Sequence, residues 1–131
     1  MRELHPFLSF SVVGAIGFLV DAVVLYLLMG FLGPFAGRCL SLGCSMTTTW
    51  FINRSITFAG AKLRYTRWIE GAIYMLIMFV GAVVNFFIYV WLVLKNELFD
   101  SYPILGIAAG SSFALVWNFS VVRTLLYRRP H

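Results

Sequence analysis

The chain is short of charge. Lysine, arginine, aspartate and glutamate make up 11% of its 131 residues, and five of them are acids. A soluble domain of this size covers itself with about 25% charged residues, so an ordinary water-facing surface is excluded. Cysteine is scarce too: Cys39 and Cys44 are the only two. They lie five residues apart in an apolar segment, badly placed on a helix to bridge each other, and are read as small packing residues. His5 and His131 stand at the two ends. No cluster of metal-ligating side chains exists to hold an ion, so neither a metal nor a cofactor is expected. A nucleophile elbow is absent, as is a glycine-rich phosphate loop ending in lysine, so an enzyme is not expected either.

Apolar residues dominate, at 61%, with aromatics at 18% and a mean hydropathy of +0.89. Long apolar runs with few charges mark transmembrane helices, each of about 20 residues. Four such runs are legible, at residues 8–31, 36–58, 68–94 and 104–127. Gly33-Pro34 signals the turn after the first. A polar loop, Ala59–Arg67, follows the second; Lys95–Tyr102 is the loop after the third; Pro103 suits the first turn of the fourth. The run from Phe7 to Leu32 exceeds the roughly 7–15 residue core of a cleaved signal and is read as a mature helix. Barrel strands would be half as long and would alternate. The expected fold is therefore all-α: one four-helix transmembrane domain over residues 1–131.

The formal charge of +5 does not point to nucleic acid, because the basic residues sit between apolar spans and not on one basic face. They do set an orientation. Arg2, Arg54, Lys62, Arg64, Arg67, Arg123, Arg128 and Arg129 fall on one side of the four spans, Arg38 and Lys95 on the other. Basic residues near span ends stay cytoplasmic, so both termini and the middle loop are expected in the cytoplasm. Gly33–Phe35 and Lys95–Tyr102 are expected outside.

The second half echoes the first. Thr49–Phe58 aligns without a gap on Asn118–Tyr127, pairing Thr49 with Asn118, Arg54 with Arg123 and Phe58 with Tyr127. Upstream, Gly37, Ser41 and Ser45 fall on Gly106, Gly110 and Ala114. Gly17-Phe-Leu-Val-Asp21 matches Gly81-Ala-Val-Val-Asn85. The chain thus reads as one helical hairpin written twice, over 8–58 and 68–127, both copies entering the membrane the same way about an axis along its normal. Gly106-Ile-Ala-Ala-Gly110 and the Gly37/Ser41/Ser45 stripe mark close helix contact, between hairpins or between protomers.

Several residues could carry chemistry. Asp21 is the acid deep in a span, so it should face the interior or water; it is either a proton or head-group contact or a hydrogen-bonded structural group. Arg54 and Arg123 lie about 27–30 Å along their helices, at head-group depth. Two guanidiniums suit a phosphate, gripped by paired hydrogen bonds with the Asn53 amide beside Arg54. The alternatives are snorkelling to lipid phosphates or a salt bridge to Glu70. Arg38 either snorkels or receives a phosphate on the outer side. Asn85, Asn118 and Thr47–Thr49 either line a polar path for a sugar or bond between helices. Trp50, Phe58, Trp68, Tyr102 and Tyr127 read as interfacial anchors.

With these residues in view, the chain resembles the GtrA-like family of small four-helix membrane proteins. The resemblance runs from Phe7 to Tyr127. It rests on Phe10-Ser-Val-Val-Gly14 with Gly17 and Asp21, on Trp50-Phe-Ile-Asn53-Arg54-Ser-Ile-Thr-Phe58, and on Asn118-Phe119 with Arg123. The chain departs from the family pattern at Thr49-Trp50 and at Ile56. The resemblance implies a flippase that moves a polyprenyl-phosphate-linked monosaccharide from the inner to the outer leaflet of a prokaryotic cytoplasmic membrane, for cell-surface polysaccharide. Arg54, Arg123, Asn53 and Arg38 would hold the phosphate; Asp21, Asn85, Asn118 and Thr49 would meet the sugar or a proton. Two other roles stay open: an anchor that recruits a membrane glycosyltransferase through the Lys62–Arg67 loop, and a proton-coupled exporter using Asp21. Membrane lipids, the lipid-linked sugar and a second copy of the chain are the expected partners.

Overall fold

The computed structural model describes residues 4–62 and 64–127; the expectations placed on Arg2, Arg128 and Arg129 lie outside the described residues. Helix α1 (Leu4–Ile52) is followed by a π-helical turn (Asn53–Thr57), then by α2 (Arg67–Lys95), the single-turn α3 (Glu97–Ser101) and α4 (Pro103–Leu125). No strand occurs among the described residues.

The helices are not bounded quite as the apolar runs suggested. The turn expected at Gly33–Phe35 is one residue: Gly33 alone leaves helical geometry, at φ 79° and ψ 170°, and divides α1 into two limbs. A positive φ of this kind suits glycine, which has no Cβ to clash. The second limb stops being α-helical at Ile52, six residues before the apolar run ends. There the Phe58 amide reaches back five residues to the Asn53 carbonyl at 2.8 Å, which is the wider π spacing. The stretch read as a plain outer loop contains α3. Its start is capped by Asn96, whose side chain accepts the Leu98 N–H at 2.9 Å. Pro103 opens α4, as expected.

Two helices, Leu4–Gly33 and Arg67–Lys95, are long and apolar enough to cross a membrane. Only 17% and 11% of their most apolar stretches are buried. Phe18, Phe31, Trp68 and Leu94 stand exposed, while Asp21, Ser41, Thr49, Asn53, Thr57 and Glu70 are buried. Phe10, Val13, Tyr74, Ile77 and Val122 are buried too, so apolar residues lie both inside and outside while these polar groups lie inside. An apolar outside with polar groups within is stable where the surroundings are hydrocarbon.

The chain forms two compact units, residues 4–62 and 64–127. In the first, the two limbs of α1 fold back on each other. Gly37 comes within 3.3 Å of the Met29 backbone, measured from where its Cβ would stand, and further along Phe10 meets Phe58 edge to face at 6.3 Å between ring centres. In the second, α4 packs along α2. The G-x-x-x-G motif is spent inside this unit: Gly106 lies against Tyr89 and Gly110 against Asn85.

Candidate functional site

In the first unit the polar residues form three groups along the seam between the limbs. Nearest the Gly33 end, Asp21 uses both carboxylate oxygens. Arg38 Nη1 donates to Oδ2 at 2.7 Å and Ser41 Oγ to Oδ1 at 2.7 Å. Ser41 has one hydroxyl proton and a second acceptor, the Arg38 carbonyl at 3.0 Å; the carboxylate is the stronger acceptor because it is charged. The sequence suggests separate roles for Asp21 and Arg38, yet they are one ion pair. The signal for this was available. A lone acid in a span needs a partner, and Arg38 is the basic residue at that end of the hairpin.

In the middle of the seam Gly17 lets the limbs touch. A methyl there would overlap the Thr49 side chain, and the Gly17 carbonyl accepts from Ser45 Oγ at 2.7 Å. The three threonines turn their protons back onto their own helix: Thr47 to Gly43 at 2.7 Å, Thr48 to Cys44 at 2.8 Å, Thr49 to Met46 at 3.0 Å. Their hydroxyl oxygens still accept, but their donors are committed. Cys39 and Cys44 are exposed and so are not packing residues within the chain's own core. With Leu40, Gly43, Thr47 and Thr48 they line a shallow depression of about 390 Å³ on one helix.

At the far end lies the π turn. Asn53 and Thr57 are buried inside it. Thr57 Oγ1 donates to Asn53 Oδ1 at 2.8 Å, and the Thr57 and Ser9 hydroxyls are 2.8 Å apart. This chain fixes the Asn53 side chain, the residue next to Arg54. Arg54 itself is half-buried.

The second unit has the same seam with other chemistry. The carboxamide of Asn118 lies where a Cβ on Gly81 would be, and that of Asn85 where a Cβ on Gly110 would be. Each helix thus pushes one asparagine into a glycine of the other. The Asn118 Oδ1 is buried without a hydrogen-bond partner, and Gly81 brings its Cα–H against it, a weak substitute. At the far end Tyr127 donates to Glu70 Oε1. Both are almost fully buried, at 1% and 2% exposure. The sequence suggests an interfacial anchor at Tyr127 and gives no sign of this bond; Trp50 and Phe58, expected as anchors too, are also buried, while Trp68 and Tyr102 do stand out. The one sequence hint was that Tyr127 differs from its aligned Phe58 by a hydroxyl, which a buried site must satisfy. Arg123 is half-buried in the last turn of α4. Arg54 and Arg123 therefore belong to different units, each at the end of its own helix.

No group of three or more histidine, cysteine, aspartate or glutamate side chains able to hold a metal occurs among the described residues. A family described as GtrA/DPMS, transmembrane domain, matches residues 9–127. No curated protein matches the chain. The match and the two apolar helices make the chain a membrane protein.

Proposed function

Because the chain belongs to the GtrA/DPMS transmembrane-domain family, we propose that it moves a polyprenyl-phosphate-linked monosaccharide from the inner to the outer leaflet of a prokaryotic cytoplasmic membrane. The lipid tail stays in hydrocarbon, so the protein need shield only the phosphate and the sugar. In this reading four helices cross the membrane, the termini and residues 59–67 are cytoplasmic, and the chain works as a homodimer.

The π turn is the observation that carries the proposal. A π turn costs regular helix geometry and recurs at functional sites. Here it lies on Asn53-Arg54, and its widened backbone takes Asn53 and Thr57 inward while leaving Arg54 partly accessible. Arg54, oriented by this fixed neighbour, is suited to hold the phosphate at the cytoplasmic face. Arg123 is the second candidate. Asn85, Asn118 and Thr49 hold carbonyl and hydroxyl acceptors within the seams, and these meet sugar hydroxyls when the helices of a unit part.

The test is translocation of a short-chain polyprenyl-phosphate glucose in proteoliposomes. Wild type accelerates it; Arg54→Ala, well folded by circular dichroism and gel filtration, loses at least about tenfold in rate. Equal rates for the two proteins would remove Arg54 from the mechanism, and no acceleration by wild type with several sugars would remove the transport reading.

A second reading has its own support. Arg64 and Tyr65 just before α2 and Arg67 and Trp68 at its start are all exposed, Trp68 by 88%, a basic and aromatic stretch suited to docking a membrane glycosyltransferase. Co-purification of that enzyme that is lost when Arg64 and Arg67 are neutralised would favour it. A proton-coupled exporter using Asp21 is less well supported, since Arg38 and Ser41 already engage both carboxylate oxygens.

A further inference from the structure

The Asp21–Arg38 ion pair is not needed to hold its helices in register. Asp21 aligns with Asn85, Ser41 with Gly110 and Arg38 with Ile107. In the second unit Asn85 closes on Gly110 as Asp21 closes on Ser41 in the first. The same helix-to-helix contact is thus made by a neutral amide. Charge within a span is expensive, yet the first unit keeps it.

The pair is also lopsided. The Asp21 side chain is 12% exposed and both its oxygens are engaged, whereas the Arg38 side chain is 49% exposed. A guanidinium has five N–H donors. Among the described residues the side-chain bond that Arg38 makes is the one from Nη1 to Asp21, so most of its donors are open to a ligand.

We propose that Arg38 is a binding site for a phosphate mono- or diester at the Gly33 end of the first unit, with Asp21 as its built-in competitor. Phosphate oxygens take the open N–H groups in the paired geometry that arginine favours. The Asp21 carboxylate, still held by Ser41, is displaced from the guanidinium. A resident carboxylate keeps phosphate affinity low, and a site that must let its cargo go needs weak binding. The site rests on the transport reading only for the identity of its natural ligand, the lipid phosphate leaving the protein.

The test uses the full chain in neutral detergent micelles, with geranyl phosphate as the probe in titration calorimetry. Asp21→Asn places in the first unit the residue that already stands at the aligned position of the second. It should bind geranyl phosphate at least about tenfold more tightly than wild type. Asp21→Asn/Arg38→Gln should lose that gain entirely. Ser41→Ala leaves Asp21 to Arg38 alone and should weaken binding severalfold, an effect opposite in sign to that of Asp21→Asn. Unchanged or weaker binding by Asp21→Asn, or a double variant as tight as the single, overturns the proposal. So does equal binding of geraniol, which has no phosphate. Inorganic phosphate binding as well as geranyl phosphate assigns the site to the free anion; binding of geranyl phosphate alone assigns it to a lipid head group. An Arg38-dependent gain in a protein that translocates nothing would leave the anion site standing and remove only the transport reading.

Discussion

The two units bury the same positions and fill them differently. Pro6, Phe10, Val13 and Gly17 are buried in the first; Glu70, Tyr74, Ile77 and Gly81, their aligned counterparts, in the second. On the returning helices Trp50, Asn53, Thr57 and Phe58 correspond to Phe119, Val122, Leu126 and Tyr127, again all buried. At Asn53 and Thr57 the first unit is thus amide and hydroxyl where the second has Val122 and Leu126, whereas at Pro6 and Phe58 it is apolar where the second pairs Glu70 with Tyr127. The π turn belongs to the version with Asn53 and Thr57, while the version with Val122 and Leu126 ends as a regular α-helix. Toward the other end the first unit carries an ion pair and the second two asparagines. A helical hairpin needs close approach at fixed places, and glycine supplies that in both units. What meets the glycine is open to choice: Thr49 and Ser45 in the first unit, Asn118 and Asn85 in the second.

The sharpest way to break the comparison is to move the charge. Asn85→Asp places a carboxylate in the second unit with no arginine at the position aligned with Arg38. It should destabilise by about 2.5–3.5 kcal/mol, the cost of a charge within a span, read from unfolding in a denaturing detergent. Asn85→Asp/Ile107→Arg should recover part of that loss. In the first unit Arg38→Ala strands Asp21 and should cost toward the lower end of about 3–5 kcal/mol, because Arg38 is half exposed.

The glycines come next. Gly81→Ala or Gly110→Ala drives a methyl into a carboxamide and should cost about 1–3 kcal/mol through overpacking. Gly43→Ala meets nothing within 4 Å and should be neutral or slightly stabilising, since alanine is the better helix former. Equal effects at Gly81 and Gly43 would refute the close approach. Tyr127→Phe makes the second unit match Phe58 of the first. It should lose about 1–3 kcal/mol, because the buried Glu70 Oε1 loses the hydrogen bond that the phenol donates. The smallest effect expected is that of Ser9→Ala, about 0.6 kcal/mol, typical of a hydrogen bond between helices in a membrane.

Much of this was open to reading in the sequence. Apolar runs announce helices because the backbone in hydrocarbon must satisfy itself within the segment. The small-residue stripe and its aligned copy marked where helices touch. What escaped was pairing across the seam. Asp21 and Arg38 are 17 residues apart, and a turn of one residue at Gly33 brings them within 2.7 Å. A turn of three, as the Gly33–Phe35 loop implied, shifts the register of the returning limb. The Tyr127–Glu70 bond was hidden for a similar reason: 57 residues separate the two, and aromatic residues near helix ends usually face the interface.

The sequence by itself determined that this is a helical membrane protein, because composition and run length answer to the solvent and not to any particular partner. It also determined where helices can approach, because only small residues permit it. Tertiary structure alone decided which polar group meets which, and that the helix widens at Asn53-Arg54. Those outcomes depend on the length of a turn and on the direction of a side chain, and both are settled only when the two helices of a unit have packed.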